Sequence, residues 1–288
     1  MIVIVGIIIV MAAVLGGFTM AGGHVGVLVH VSEFVVIGGA AIGSLVVMSP
    51  KKVLVDIFKG LMLTLKGAPY SRTSYDELLK VLYELFLLAK RDGMVALEEH
   101  VTNPKESALF AKYPEFHKNH HGVDFLCNAL RPIVDGRVKP DQLRMLLDTE
   151  LRTTEQEHHA PIGVITKVAD ALPGFGIVAA VLGIIITMGA ISGPPEVIGH
   201  KVAAALVGTF LGILLSYGIV APLATNLEFI SVAEMAYLRA IATAVTSFAQ
   251  GLAPVMAVEM ARRGVGTDVR PTADEMETML KQLSAARA

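Results

Sequence analysis

Four stretches of this chain contain no Asp, Glu, Lys or Arg: residues 1–32, 34–50, 171–195 and 202–227. No other feature narrows the possible folds as much. A helix rises about 1.5 Å per residue and the hydrocarbon core of a bilayer is about 30 Å thick, so about 20 mostly apolar residues make one crossing. Three of the stretches exceed that length. The second, Phe34 to Pro50, has 17 residues and can be lengthened by the apolar run from Val25 to Val31 just before it. The expected fold class is therefore an all-α integral membrane protein, with four transmembrane helices and a helical cytoplasmic domain inserted between helices 2 and 3. Residues 1–50 would hold transmembrane helices 1 and 2, 51–170 the cytoplasmic domain, 171–227 transmembrane helices 3 and 4, and 228–288 a cytoplasmic helical tail. The first ten residues lack a basic start and no A-x-A-like site follows them, so the first helix is expected to be retained rather than cleaved as a signal peptide.

The basic residues set the orientation. Of 24 Lys and Arg, 17 lie between Lys51 and Lys167 and six follow Leu227. The positive-inside rule places both segments in the cytoplasm, and with four crossings both termini as well. The segment from Lys51 to Asp170 also carries 17 acidic residues. It therefore lacks the broad basic face that binds nucleic acid, and a protein is the expected partner. The single cysteine, Cys127, excludes an internal disulfide and suits a reducing compartment.

Start and stop signals divide the large segment into helices. Ser74 with Glu77 reads as a capping box ahead of Leu78, Leu79, Leu82 and Leu85, with Gly93 closing that helix. Asn103, Pro104 and Glu106 read as a second start, a third helix covers about Val123 to Val134, and a fourth opens near Pro140 and Asp141. After Leu227 the helical pattern continues through Ala261. A break from Gly264 to Pro271 then precedes a short polar helix, expected to pack on the large domain.

Within the apolar stretches, Ala204, Gly208, Gly212 and Ser216 form a ladder of small residues, matched by Ala179, Gly183 and Thr187. Such ladders let helix backbones approach closely, either within one chain or between copies of it. No carboxylate, Lys or Arg falls inside the four spans so delimited, so an ion carried on a titrating group would need an acid from a second polypeptide. Thr187, Thr209, Ser216 and Tyr217 can line a polar route, although a hydroxyl in a helix more often bonds its own backbone. Pro173 opens the third span. Pro222 interrupts the end of the fourth, where a missing N–H predicts a kink and a candidate hinge.

These residues resemble the MotA family of flagellar stator proteins. The resemblance lies in Leu172-Pro173-Gly174-Phe175-Gly176-Ile177-Val178-Ala179-Ala180, in Val207-Gly208-Thr209-Phe210-Leu211-Gly212-Ile213-Leu214 followed by Tyr217 and Pro222, and in Ala253-Pro254 with Ala257-Val258-Glu259. It implies a ring of five copies around two copies of MotB, whose single transmembrane helix supplies an ion-binding aspartate. Ion passage would turn the ring, and the cytoplasmic domain would push on charged residues of the rotor protein FliG. By the same resemblance, Pro173 and Pro222 match prolines needed for torque, and Thr209 and Tyr217 match pore-facing positions. Lys90 or Arg91, with Glu98 and Glu150, fall at rotor-facing charges. Sodium-driven relatives have threonine where this chain has Ala180. A methyl group cannot replace the water around a sodium ion, so the resemblance implies protons.

Two other readings compete. A TolQ or ExbB-like energy transducer also rings a partner helix, but that family has three spans and an N-terminus outside. A membrane enzyme with metal at His117, His120, His121, His158 and His159 lacks a companion H-E-x-x-H motif or cysteine pair, and a solvated helix face explains these histidines better. No catalytic residue, metal or cofactor is expected.

Overall fold

The computed structural model describes residues 2–67 and 70–285, and every regular element among them is helical. In chain order these are α1 (Ile2–Met20), α2 (Val31–Met48), α3 (Lys51–Lys66), α4 (Arg72–Asp92), α5 (Glu98–Thr102), α6 (Ala108–Ala111), α7 (Pro114–Lys118), α8 (His120–Val134), α9 (Pro140–Met188), α10 (Pro195–Leu215), α11 (Ala221–Ala249), α12 (Pro254–Arg263) and α13 (Ala273–Ala285). Four helices are long and apolar enough to cross a membrane: α1, α2 with the 3₁₀ turn Val25–Leu28 before it, α9, and the run from Pro195 to Ala249 that joins α10 to α11. The chain is a multi-pass membrane protein with a large helical domain between the second and third of these helices. The described residues form two compact units: those up to Gly67 with Glu157–Ile230, and those from Tyr70 to Gln156 with those from Ser231 onward.

In the first unit, α9 and α10 meet backbone to backbone. A Cβ added at Gly212 would stand 2.6 Å from the Leu172 carbonyl oxygen, one at Gly176 would stand 2.8 Å from the Gly208 carbonyl oxygen, and one at Gly183 would stand 2.7 Å from the Ala205 Cβ. Any side chain at Gly176 or Gly212 would force the two helices apart. The ladder residues Gly183 and Gly212, together with Gly176, are thus used for packing within one chain. Ile37, Leu172, Ala179, Val207 and Leu211 form the buried cluster around this contact. A second cluster joins Ile57 of α3 to Ile162, Ile165, Ala224 and Leu227.

The second unit has the larger core. One face of α4, including Leu78, Leu79, Leu82, Leu85 and Phe86, is fully buried. Phe86 stacks on Phe248 at 4.3 Å between ring centroids, and Tyr237 is packed between Tyr70 and Tyr75. α12 and α13 pack on α4, as expected for the tail.

Several boundaries differ from the sequence expectation. α4 begins one turn early, with Ser71 as N-cap accepting from the Ser74 amide and the Ser74 hydroxyl accepting from the Ser71 amide. Glu77 plays no part in that cap. Its carboxylate accepts from the amides of Glu115 and Phe116 at 2.7 and 3.0 Å, closing the start of α7. Asn103 ends α5, and the next start is capped by Ser107. α11 stops at Ala249, where Gly251 takes a positive φ of 91° before Pro254 opens α12. The expected break after Arg263 is present. It is held by Arg262, which donates to both carboxylate oxygens of Glu259 and to the Pro271 carbonyl. Thr272 and Glu275 then form the capping box of α13.

Candidate functional site

The two prolines bear directly on the α9–α10 contact. Pro173 lies inside α9 rather than at its start. It has no N–H to give the carbonyl four residues back, which is Ala169. That carbonyl accepts instead from the hydroxyl of Ser216, fully buried, at 2.7 Å. A break in the hydrogen bonding of one helix is thus closed by a side chain of its neighbour. Ser216 opens a π-turn, Ser216–Val220, in which the Ala221 amide bonds the Ser216 carbonyl five residues back, and Pro222 follows immediately. The interruption predicted at Pro222 takes the form of this wide turn, and the helix continues through it. Tyr217, in the same turn, is 66% exposed.

The other pore-assigned positions lie further along the same contact. Ala180 and Thr209 are half-buried, with the Thr209 Cα 3.2 Å from the point where a Cβ at Gly176 would stand. Thr187 donates to the Gly183 carbonyl of its own helix at 2.8 Å, the ordinary role for such a hydroxyl. One group here was not anticipated. α2 starts at Val31, so Glu33 lies inside a span expected to hold no carboxylate, and it is 6% exposed. Its Oε2 would stand 2.7 Å from a Cβ at Gly208. The sequence signal was the acid itself, the one charged residue between the apolar runs 1–32 and 34–50.

The charged candidates belong to the second unit. Lys90 and Arg91 occupy the exposed last turn of α4, and Glu98 opens α5 after the Gly93 turn and a 3₁₀ turn. Arg91 is engaged by Asp92 at 2.7 and 2.9 Å, whereas Lys90 has no ion pair among the described residues. Glu150 is half-buried on α9, and desolvation raises its carboxyl above the usual range. No hydrogen bond or ion pair among the described residues joins Glu150 to the other three. Among the described residues, no three His, Cys, Asp or Glu side chains gather into a set that could hold a metal ion. His121 instead bonds Glu234 at 2.7 Å.

Two family models match the chain: "Motility protein A N-terminal" over residues 4–93 and "MotA/TolQ/ExbB proton channel family" over residues 117–240. Motility protein A of Salmonella typhimurium is 37% identical over 277 residues, covering 96% of this chain and 94% of the relative. Chemotaxis protein LafT of Vibrio parahaemolyticus is 34% identical, with 96% and 97% covered. Two solved structures share the fold. One is of C. jejuni MotAB, with a TM-score of 0.77, 22% identity and coverage of 94% of this chain and 98% of that one. The other is the flagellar MotAB stator complex from Bacillus subtilis, with a TM-score of 0.74, 23% identity and coverage of 96% and 98%.

Proposed function

The chain belongs to the MotA family, and on that basis we propose that it is the ring-forming subunit of a proton-driven flagellar stator, pairing with MotB and driving FliG. The observation that carries this reading is the length of the likeness, which runs through both apolar pairs and the inserted domain. In this reading five copies surround two of MotB, whose helix brings the ion-binding aspartate. The joint at Pro173, Ser216 and Pro222 gives way when that aspartate changes charge, and Tyr217 and Thr209 face the path. Ala180 supports protons over sodium, because its methyl offers no oxygen to a dehydrated cation. At the rotor end, Lys90 is better placed than Arg91 to meet an acidic partner, since Arg91 is already held by Asp92. Glu98 and Glu150 supply the opposite sign.

The test is motor torque in a stator-less strain carrying this chain with its MotB. Rotation that survives removal of sodium and stops with a protonophore is the expected result. A sodium requirement would overturn the ion assignment, and failure to rotate despite insertion of both chains would overturn the stator reading.

A further inference from the structure

Glu33 is the acid that the spans were not expected to contain. It sits in the third position of α2, 6% exposed, and its Oε2 has no hydrogen-bond partner. No side-chain hydrogen bond caps α2. The carboxylate is directed instead at the α9–α10 contact: a Cβ at Gly208 would stand 2.7 Å from Oε2, 2.9 Å from the Ala179 Cβ and 3.3 Å from the Ala180 amide nitrogen. The absence of a side chain at Gly208 is what leaves room for it.

This point is well inside the apolar layer. Ala180 stands eight residues before the end of α9, and Gly208 seven beyond Lys201, about 10–12 Å along either helix. A carboxylate at such depth is unfavourable unless it is neutralised, and groups of this kind mark ion pathways. Nothing opposite Glu33 can neutralise it by pairing, since α9 and α10 carry no charged residue over 171–195 and 202–227. On its own segment the titratable neighbour is His30, the residue before α2, whose Nδ1 is also buried without a partner.

We propose that Glu33 is a proton-binding site of the ion path, contributed by this chain itself near the entry from the periplasmic side. This rests on the reading that ions cross through the complex. Oε2 takes a proton from a hydronium ion that has reached it, forming one O–H bond and leaving water. That bond then breaks as the proton passes inward to the next acceptor, which restores the carboxylate with no change of oxidation state.

The experiment uses the full chain with its partner subunit, both in stator-less cells and reconstituted in proteoliposomes. Torque and proton flux are measured, and co-purification of the partner reports assembly. Glu33→Gln lowers flux and torque by about tenfold or more with assembly unchanged, while Glu33→Asp stays within a few-fold of the original. Dicyclohexylcarbodiimide, which adds to protonated carboxyls in apolar surroundings, gives a readout free of folding effects. It labels Glu33 in the unmutated complex, faster at lower pH. A Glu33→Gln complex that runs at full rate, a Glu33→Gln chain that no longer joins its partner, or a Glu33 that is never labelled would each overturn the assignment. If the unmutated complex carries no protons at all, the stator reading fails, and labelling still reports separately on Glu33.

Discussion

Ser216 shows how much one hydroxyl can decide. With Ala169 deprived of its helical donor by Pro173, removal of the Ser216 hydroxyl leaves a buried carbonyl unsatisfied, worth about 1–3 kcal/mol. Ser216→Ala is therefore expected to destabilise the detergent-solubilised protein by that amount. In a chain that also carries Pro173→Ala the loss shrinks, because the residue at 173 regains an N–H for Ala169. The coupling between the two substitutions is expected at about 0.5–3 kcal/mol, and a double-mutant cycle of unfolding midpoints measures it. Purely additive losses would refute the link. Gly208→Ala is expected to cost about 1–3 kcal/mol by crowding Ala179 and Glu33, which the same unfolding assay reads. At the rotor end, Lys90→Ala is expected to lower torque more than Arg91→Ala, with each effect modest because exposed charges are largely screened. Equal losses would mean that the Arg91–Asp92 pair opens freely.

Among the elements, the clamp at the end of α12 has a pH signature. Glu259 is held at about 2 by its hydrogen bonds from Arg262 and Arg263, against an ordinary value of 4.5. A carboxyl depressed in the folded state stabilises fully above its ordinary value and loses that contribution as pH falls towards the folded one. The stability advantage of the unmutated chain over Glu259→Gln is thus expected to hold above about pH 4.5 and to disappear towards pH 2. Thermal unfolding across that range checks it. The four apolar helices were legible in the sequence because charge is rare inside a span whatever its neighbours, Glu33 of α2 being the exception. Start signals were less legible, since they are local and ambiguous: Ser71 and Ser74 can both cap α4. Glu77 serves a helix 38 residues away, a partnership that no local spacing reveals. The continuous helix through Pro173 was hidden for a related reason, because its missing donor is replaced from another element.

For the whole molecule, the inserted domain and the tail were correctly expected to pack together, because both present helical apolar faces with nothing else to cover them. The buried acid in α2 was missed because a lone Glu beside a turn looks identical in sequence whether it faces water or a neighbouring helix. Native mass spectrometry of the complex with its partner is expected to give five copies of this chain to two of the partner, and any other ratio would revise the ring. The π-turn at Ser216–Val220 also has a consequence for length variation. A wide turn amounts to one residue beyond regular α-helical count, so it shifts the phase of all that follows by about 100°. Ala224 and Leu227 meet Ile57, Ile162 and Ile165 in that phase. Forcing the intact segment into a regular α-helix would rotate this apolar pair off its cluster, whereas loss of a single codon between 217 and 220 would remove the surplus residue and leave the pair in place, so related chains that keep this packing should either retain the wide turn or lack one residue there.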